Sequence, residues 1–157
     1  MKDNNTQIIR KCKVGEGTKI WNFVNLYGVE IGRNCMIGSY VEIQDGVKIG
    51  DGCRIQSHTF ICSGVVIEEN VFIGHHVCFI NDKYPTVALA QDKKWVMLPT
   101  LVKKGASIGS NATIFPVVIG EKAQVGAGAV VLDDVKDYCV VVGIPAKNIQ
   151  DWEYRET

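Results

Sequence analysis

From Ile31 onward a large apolar residue stands at every sixth position: Ile31, Ile37, Ile43, Ile49, Ile55, Ile61, Ile67, Ile73 and Phe79. A helix repeats at 3.6 residues and a lone amphipathic strand at 2, so neither requires an unbroken six. A coil with three flat faces, one six-residue unit to each face, does require it. Two residues before each member stands a smaller one: Val29, Cys35, Val41, Val47, Cys53, Thr59, Val65, Val71 and Val77, of which only Thr59 is polar. Residues i and i+2 of an extended segment point to one side, so both sets are predicted to face inward. Gly follows the large residue at Gly32, Gly38, Gly50 and Gly74. At a corner between faces this suggests a need for positive φ, which glycine meets without steric cost.

Residues 18 apart are then predicted to stack in columns: Ile31, Ile49 and Ile67; Ile37, Ile55 and Ile73; Ile43, Ile61 and Phe79. Each coil buries its interior against the next, and none is stable alone. The period extends both ways with slips. Val14, Ile20 and Leu26 keep the six, and one residue is lost before Ile31. Val102, Ile108 and Ile114 resume it, and a second slip at Phe115-Pro116-Val117-Val118 leads to Ile119, Val125 and Val131. Between Phe79 and Val102 the pattern vanishes. Residues 80–101 therefore read as a loop thrown out from the coil, and a long unpatterned insert in a compact repeat is usually functional or disordered.

The 157 residues fit one domain spanning 1–157, with equal numbers of acidic and basic side chains. A formal net charge of zero gives no global field for nucleic acid or an anionic membrane. Met1-Lys2-Asp3-Asn4-Asn5 lacks the apolar core of a signal peptide, and no apolar run is long enough to span a bilayer. A cytoplasmic protein is expected, with no membrane insertion. The six Cys form no C-x-x-C pair, so no zinc site is expected. Cys35 and Cys53 fall in the inward register and read as reduced core residues.

The repeated [Ile/Val/Leu]-Gly-x-x-x-x unit resembles the hexapeptide-repeat acyltransferases. The stretch Ser107-Ile108-Gly109-Ser110-Asn111-Ala112-Thr113-Ile114 is similar to their late coils, as is the run from Val118-Ile119-Gly120 to Gly126-Ala127-Gly128-Ala129. Val142-Gly143-Ile144-Pro145-Ala146-Lys147 resembles the segment that leaves their coil. The resemblance covers roughly residues 14 to 148. It implies an all-β fold, a single-stranded left-handed parallel β-helix with one extruded loop and a short C-terminal arm or helix at about residues 148–157, assembled as a homotrimer. Handedness comes from the resemblance alone, because the period is the same for either hand.

Within that family the segment Gly74-His75-His76-Val77-Cys78-Phe79-Ile80-Asn81-Asp82-Lys83-Tyr84-Pro85 resembles nucleotide-sugar N-acetyltransferases of the 3-amino deoxy sugar type. The sugar O-acetyltransferases of this fold place a His directly after the Asn. Here Asp82 stands there, which favours an amine acceptor over a hydroxyl. A free amine attacks a thioester without a strong base, and the enzyme then contributes position, desolvation and oxyanion stabilisation. The implied ligands are acetyl-CoA and a dTDP- or UDP-linked amino sugar.

On this reading Asn81, His58 and Glu68 are the catalytic candidates. Asn81 would hold the sugar or orient the amine, while His58 and Glu68 would border the acceptor pocket and tune or accept a proton. Each also has a plain reading: a turn former for Asn81, an outward surface imidazole for His58, a solvated corner for Glu68. His76, Asp82, Lys83 and Tyr84 are the substrate-binding candidates. Gly109, Gly126, Ala127, Gly128, Pro145 and Lys147 are carried over as the lining for CoA, with Lys147 placed to pair with a phosphate. Lys103, Lys104, Lys93, Lys94 and Trp95 offer further cationic or aromatic contacts. Two other classes share the fold: a γ-type carbonic anhydrase, for which three independent His ligands are lacking, and a non-catalytic assembly subunit. Acetylation of a sugar hydroxyl is the runner-up within the enzyme class.

Overall fold

The computed structural model describes residues 6–92 and 94–149. Short strands, mostly of two or three residues, wind into a parallel solenoid with three faces. Face A holds seven strands, face B six and face C eight. The chain visits them in a fixed order, as with Glu30–Ile31 on face B, Met36–Ile37 on face C and Glu42–Ile43 on face A. The pairings reproduce the predicted columns: Ile31 with Ile49 and Ile49 with Ile67 on face B, Ile37 with Ile55 and Ile55 with Ile73 on face C, Ile43 with Ile61 on face A. Where the repeat loses a residue the partners are 17 apart rather than 18, as in Leu26 with Ile43 and Ile114 with Val131. The slips shorten a coil and leave the columns intact.

Both inward registers are buried from Val24 to Val131. The first coil departs from this pattern: Val14 is 43% exposed and Ile20 only half-buried. Among the described residues its strands have neighbours on one side only, so its apolar positions are packed from one side.

The polar members of the small register have a common task. Thr59 is 1% exposed, and its hydroxyl donates to the Gly74 carbonyl at 2.8 Å. Thr18 donates in the same way to the Gly32 carbonyl at 2.7 Å. The thiols of Cys35 and Cys53 donate to the carbonyls of Gly50 and Glu68 at 3.1 and 3.0 Å. Each satisfies a corner carbonyl of the coil above that the strand ladder does not reach. All six cysteines are free thiols. The neighbouring Cys35 thiol and then burial push the Cys53 thiol up, and burial pushes Cys62 up to about 11. Thr59→Val is expected to destabilise the protein by about 1–2 kcal/mol, because it strands the Gly74 carbonyl at an unchanged shape. Urea unfolding checks it, and an unchanged midpoint would mean that water reaches that carbonyl.

The glycines after the large residues have a different cause from the one expected. Gly32, Gly38, Gly50 and Gly74 do not have positive φ. A Cβ on Gly38 would lie 2.6 Å from the Ser57 amide nitrogen, and one on Gly74 would lie 2.5 Å from that of Ser110. These glycines let successive coils approach. The left-handed residue of each full corner comes two positions later.

The loop leaves face A after Cys78–Phe79 and returns as Thr100–Val102 on face B, so Thr100 and Leu101, expected in the loop, belong to the strand. It carries a helix, Val87–Gln91, whose residues are all exposed and whose Thr86 hydroxyl caps the Leu89 N–H at 3.2 Å. The neck of the loop is tied: the Leu98 N–H donates to the Asn81 carbonyl at 2.9 Å, and Met97 lies over Gly64. At the other end Lys147–Asn148 hooks back antiparallel to Val140–Val142. Of the C-terminal arm expected at about residues 148–157, Asn148 belongs to this strand and the Ile149 N–H donates to the Val140 carbonyl at 3.0 Å, and the residues from Gln150 on lie outside the described part. So does Lys93.

Candidate active site

Three faces make three corners, and most turns place one residue of left-handed backbone there. At the B–C corner the column runs through Gly17, Asn34, Gly52, Asn70, Gly105, Lys122 and Tyr138, and at the A–B corner through Lys11, Gly28, Gly46 and Gly64, so that Gly or Asn takes most of these places. Gly and Asn are the residues that tolerate this region. The C–A corner differs. Its column is Phe23, Tyr40, His58, His76, Asn111 and Gly128, with φ of 62°, 60°, 64°, 56°, 61° and 71°. For an ordinary L-residue this backbone costs about 1–2 kcal/mol. The rings offset part of that cost by stacking in sequence. Phe23 lies 5.0 Å from Tyr40, Tyr40 lies 4.7 Å from His58, and His58 lies 4.6 Å from His76, with planes 13°, 11° and 2° apart. Backbone bonds hold the rungs in line: His58 N–H to the Ser39 carbonyl at 3.0 Å, and His76 N–H to the Ser57 carbonyl at 3.1 Å.

The same corner is free of Asp, Glu, Lys and Arg over six turns: 21–24, 38–41, 56–59, 74–77, 109–112 and 126–129. The B–C corner carries a charge at every turn, among them Glu16, Arg33, Asp51, Glu69 and Lys104, and the A–B corner carries charges at some turns, such as Lys11 and Asp45, and none at 27–29, 62–64 and 115–117. Above His76 the side chains shrink. Gly109 packs so tightly that a Cβ would lie 2.5 Å from the Ala127 amide nitrogen, whereas a Cβ on Gly128 would meet nothing within 4 Å. The segment after Val142 closes the top of this corner, with Val130 N–H bonded to the Gly143 carbonyl at 3.0 Å and Ala146 N–H to the Val130 carbonyl at 2.8 Å. One edge therefore carries His58, His76, Gly109, Gly126, Ala127, Gly128 and, at its top, Pro145. It offers imidazole and hydroxyl donors in its lower half and bare backbone in its upper half.

The remaining candidates lie elsewhere. Asn81, Asp82, Lys83 and Tyr84 sit at the A–B corner, where the loop starts. The Asn81 amide donates to the Ser63 carbonyl at 3.0 Å, and the Asp82 carboxylate accepts the Tyr84 N–H at 2.9 Å in a local turn. Tyr84 is 81% exposed. Glu68 stands at the B–C corner, where its carboxylate accepts the Lys104 N–H at 2.8 Å. His58, Glu68 and Asn81 thus occupy three different corners, and a single chain does not assemble them into the pocket expected from the sequence. His58 is on a corner rather than a face. Lys147 borders a recess of about 320 Å³ at the end of the coil, beside Asp133 and Asp134.

Phe23 and Tyr40 were missed by reasoning from the inward registers. Their signal was present: 17 and 18 residues separate Phe23, Tyr40, His58 and His76, the spacing of stacked positions. Among the described residues no cluster of three or more His, Cys, Asp or Glu is placed to hold a metal ion, and no helix is long and apolar enough to cross a membrane.

Comparison with known proteins finds two family models, the bacterial transferase hexapeptide (six repeats) over residues 28–63 and the hexapeptide repeat of succinyl-transferase over residues 100–133. The chain is 55% identical over 49 residues to a dTDP-3-amino-3,6-dideoxy-alpha-D-galactopyranose 3-N-acetyltransferase of Aneurinibacillus thermoaerophilus, covering 31% of this chain and 26% of that protein. It is 32% identical over 145 residues to the bifunctional protein GlmU of Carboxydothermus hydrogenoformans, covering 88% of this chain and 30% of that one. The matches thus span about a quarter to a third of these curated relatives. A crystal structure of a point mutant of AntD, an N-acyltransferase from Bacillus cereus, in complex with dTDP and coenzyme A, superposes with a TM-score of 0.78 at 26% identity, covering 88% of this chain and 82% of that one.

Proposed function

This is a hexapeptide-repeat protein, and we propose that it is an acetyl-CoA-dependent N-acetyltransferase acting on an amino group of a dTDP- or UDP-linked amino sugar, of the 3-amino deoxy type. The observation that carries the reading is the C–A corner. It is an uncharged, donor-bearing edge whose upper half is stripped of side chains, and both proposed substrates are polyanions that a row of carboxylates would repel. The relatives agree in kind. One acts on a dTDP-linked 3-amino sugar, and the AntD structure holds dTDP and coenzyme A.

Gly109, Gly126, Ala127 and Gly128 suit a pantetheine arm, since the open space at Gly128 lets a chain lie against the backbone. Pro145 closes the upper end. His58 and His76 then face the thioester. The amine nitrogen attacks the thioester carbonyl carbon, a C–N bond forms, and a tetrahedral oxyanion develops. Backbone N–H groups are suited to stabilise that charge. The C–S bond breaks, and the proton lost by nitrogen passes to the departing thiolate or to solvent, with an imidazole of the edge as its carrier.

Asn81, Asp82, Lys83 and Tyr84 belong to this site only if the loop of one subunit reaches the C–A corner of another, and Glu68 would likewise have to come from a neighbour. A left-handed coil assembled as a homotrimer is therefore part of the same proposal, since a three-fold ring gives three equivalent grooves.

The test is thiol release from acetyl-CoA against UDP- and dTDP-linked sugars, each in amino and hydroxyl forms. Release is expected with amino sugars alone. Release with the hydroxyl forms would make the protein an O-acetyltransferase. None with any acceptor would leave the fold and remove the function.

A further inference from the structure

The ring column exceeds what a corner needs. Gly or Asn serves at most of the equivalent turns of the other corners, with Lys11, Lys122 and Tyr138 as isolated exceptions, yet four consecutive rungs here carry rings on left-handed backbone. Stacking explains how the rings tolerate one another and leaves open why they are solvent-facing. Phe23 and Tyr40 are each 52% exposed, and Trp21, two residues before Phe23 on the same corner, is 55% exposed. Stacked rings present their edges outward, and an aromatic edge carries the positive rim of the quadrupole. To that rim the rail adds a phenol hydroxyl and two imidazoles, all hydrogen-bond donors, with no Asp or Glu among residues 21–24, 38–41, 56–59 and 74–77.

We propose that the nucleoside diphosphate part of the acceptor binds along this rail, with its base on the Trp21–Phe23 end and its diphosphate against the outer edges of Tyr40 and His58, leaving the amino sugar at His76. The assignment rests on the function proposed above and divides its site in two. The acceptor takes the ringed half and the donor takes the half above His76, which holds Asn111 and Gly128 and no ring for a base. The two substrates then meet end to end at His76. Three stacking steps of 5.0, 4.7 and 4.6 Å separate Phe23 from His76, a span of the length of an extended sugar nucleotide.

The experiment is calorimetric titration of dTDP, UDP and CoA into the full-length protein and into Phe23→Asn and Tyr40→Asn. Asn keeps a left-handed backbone, so each variant removes a ring without straining its turn. Nucleotide affinity is expected to fall about tenfold or more in Phe23→Asn, the scale of one lost base–aromatic contact, and to fall in Tyr40→Asn through loss of the phenol donor and of the ring stacked on Phe23, with CoA affinity within twofold of the parent in both. Unchanged nucleotide affinity in both variants overturns the assignment and leaves the acetyltransferase reading standing. Loss of CoA affinity together with a fall in oligomer mass also overturns it and makes the rail a subunit contact. A parent protein that binds CoA and neither nucleotide removes the acceptor class itself, and the rail's role with it.

Discussion

Asn81→Ala is expected to lower acetyl transfer about a hundredfold while lowering the melting temperature by only about 2–4 °C. The small thermal effect follows from the single side-chain bond it removes, the amide to the Ser63 carbonyl at 3.0 Å. A net hydrogen bond contributes about 1 kcal/mol, which in a chain of this size is a shift of that order. The large kinetic effect follows from position. Asn81 is the first residue of the loop neck with ties in two directions. Its side chain holds the coil below, its carbonyl holds Leu98 two residues before the returning strand, and Ser63 is itself anchored through its N–H to the Gln44 side chain at 3.1 Å. Releasing the neck displaces Asp82, Lys83 and Tyr84 together, and a displacement of about 1 Å at reacting groups is enough for such a loss. Steady-state kinetics beside a thermal melt separates the two effects. A variant within twofold of the parent in kcat/KM would remove Asn81 from the site.

Phe79→Ala is expected to destabilise the protein by about 3–5 kcal/mol, the range for deleting a buried aromatic ring. Phe79 is 1% exposed and, among the described residues, the largest fully buried side chain, in the column between Ile61 and Ile114. Its neighbours sit on short strands whose backbone spacing is set by the ladder, so the coil has little freedom to collapse around the void. The cavity also opens beneath the loop neck, so a loss of activity at temperatures where the protein is still folded is expected to accompany it. Urea denaturation measures the first effect. A shift under about 1 kcal/mol would show that the loop packs down into the space.

The columns were legible in the sequence because a buried register admits no exceptions: from Ile31 to Phe79 each sixth side chain had to be large and apolar, and the pairings followed. Even Thr59, the one polar intruder, kept its place in the count, and only its partner, the Gly74 carbonyl, needed coordinates. The glycines were located correctly and explained wrongly, since close approach of the next coil and positive φ leave the same residue behind. The site was less legible. Counting by 18 places a residue on a coil, and only counting by six places it on a corner. His58 stands three past Ile55, Glu68 one past Ile67 and Asn81 two past Phe79, which is enough to assign them to different corners. The ring rail escaped because the count followed the inward registers: the 17- and 18-residue spacing of Phe23, Tyr40, His58 and His76 stacks them in one column, but burial does not oblige an outward position to be apolar. Handedness and assembly have no trace in a period.

The in-register stacking of coils makes this edge a graduated scale. Every coil adds one rung, about 4.8 Å, and keeps each column in its own line. Duplicating an 18-residue unit among the ringed rungs would lengthen one end of the scale by a single division and leave the order of side chains around the junction unchanged. Deleting one would shorten it by the same step. Reach along this edge can thus be changed by gain or loss of whole coils, with no new pocket to invent, whereas chemistry at the junction can be changed only by substitution.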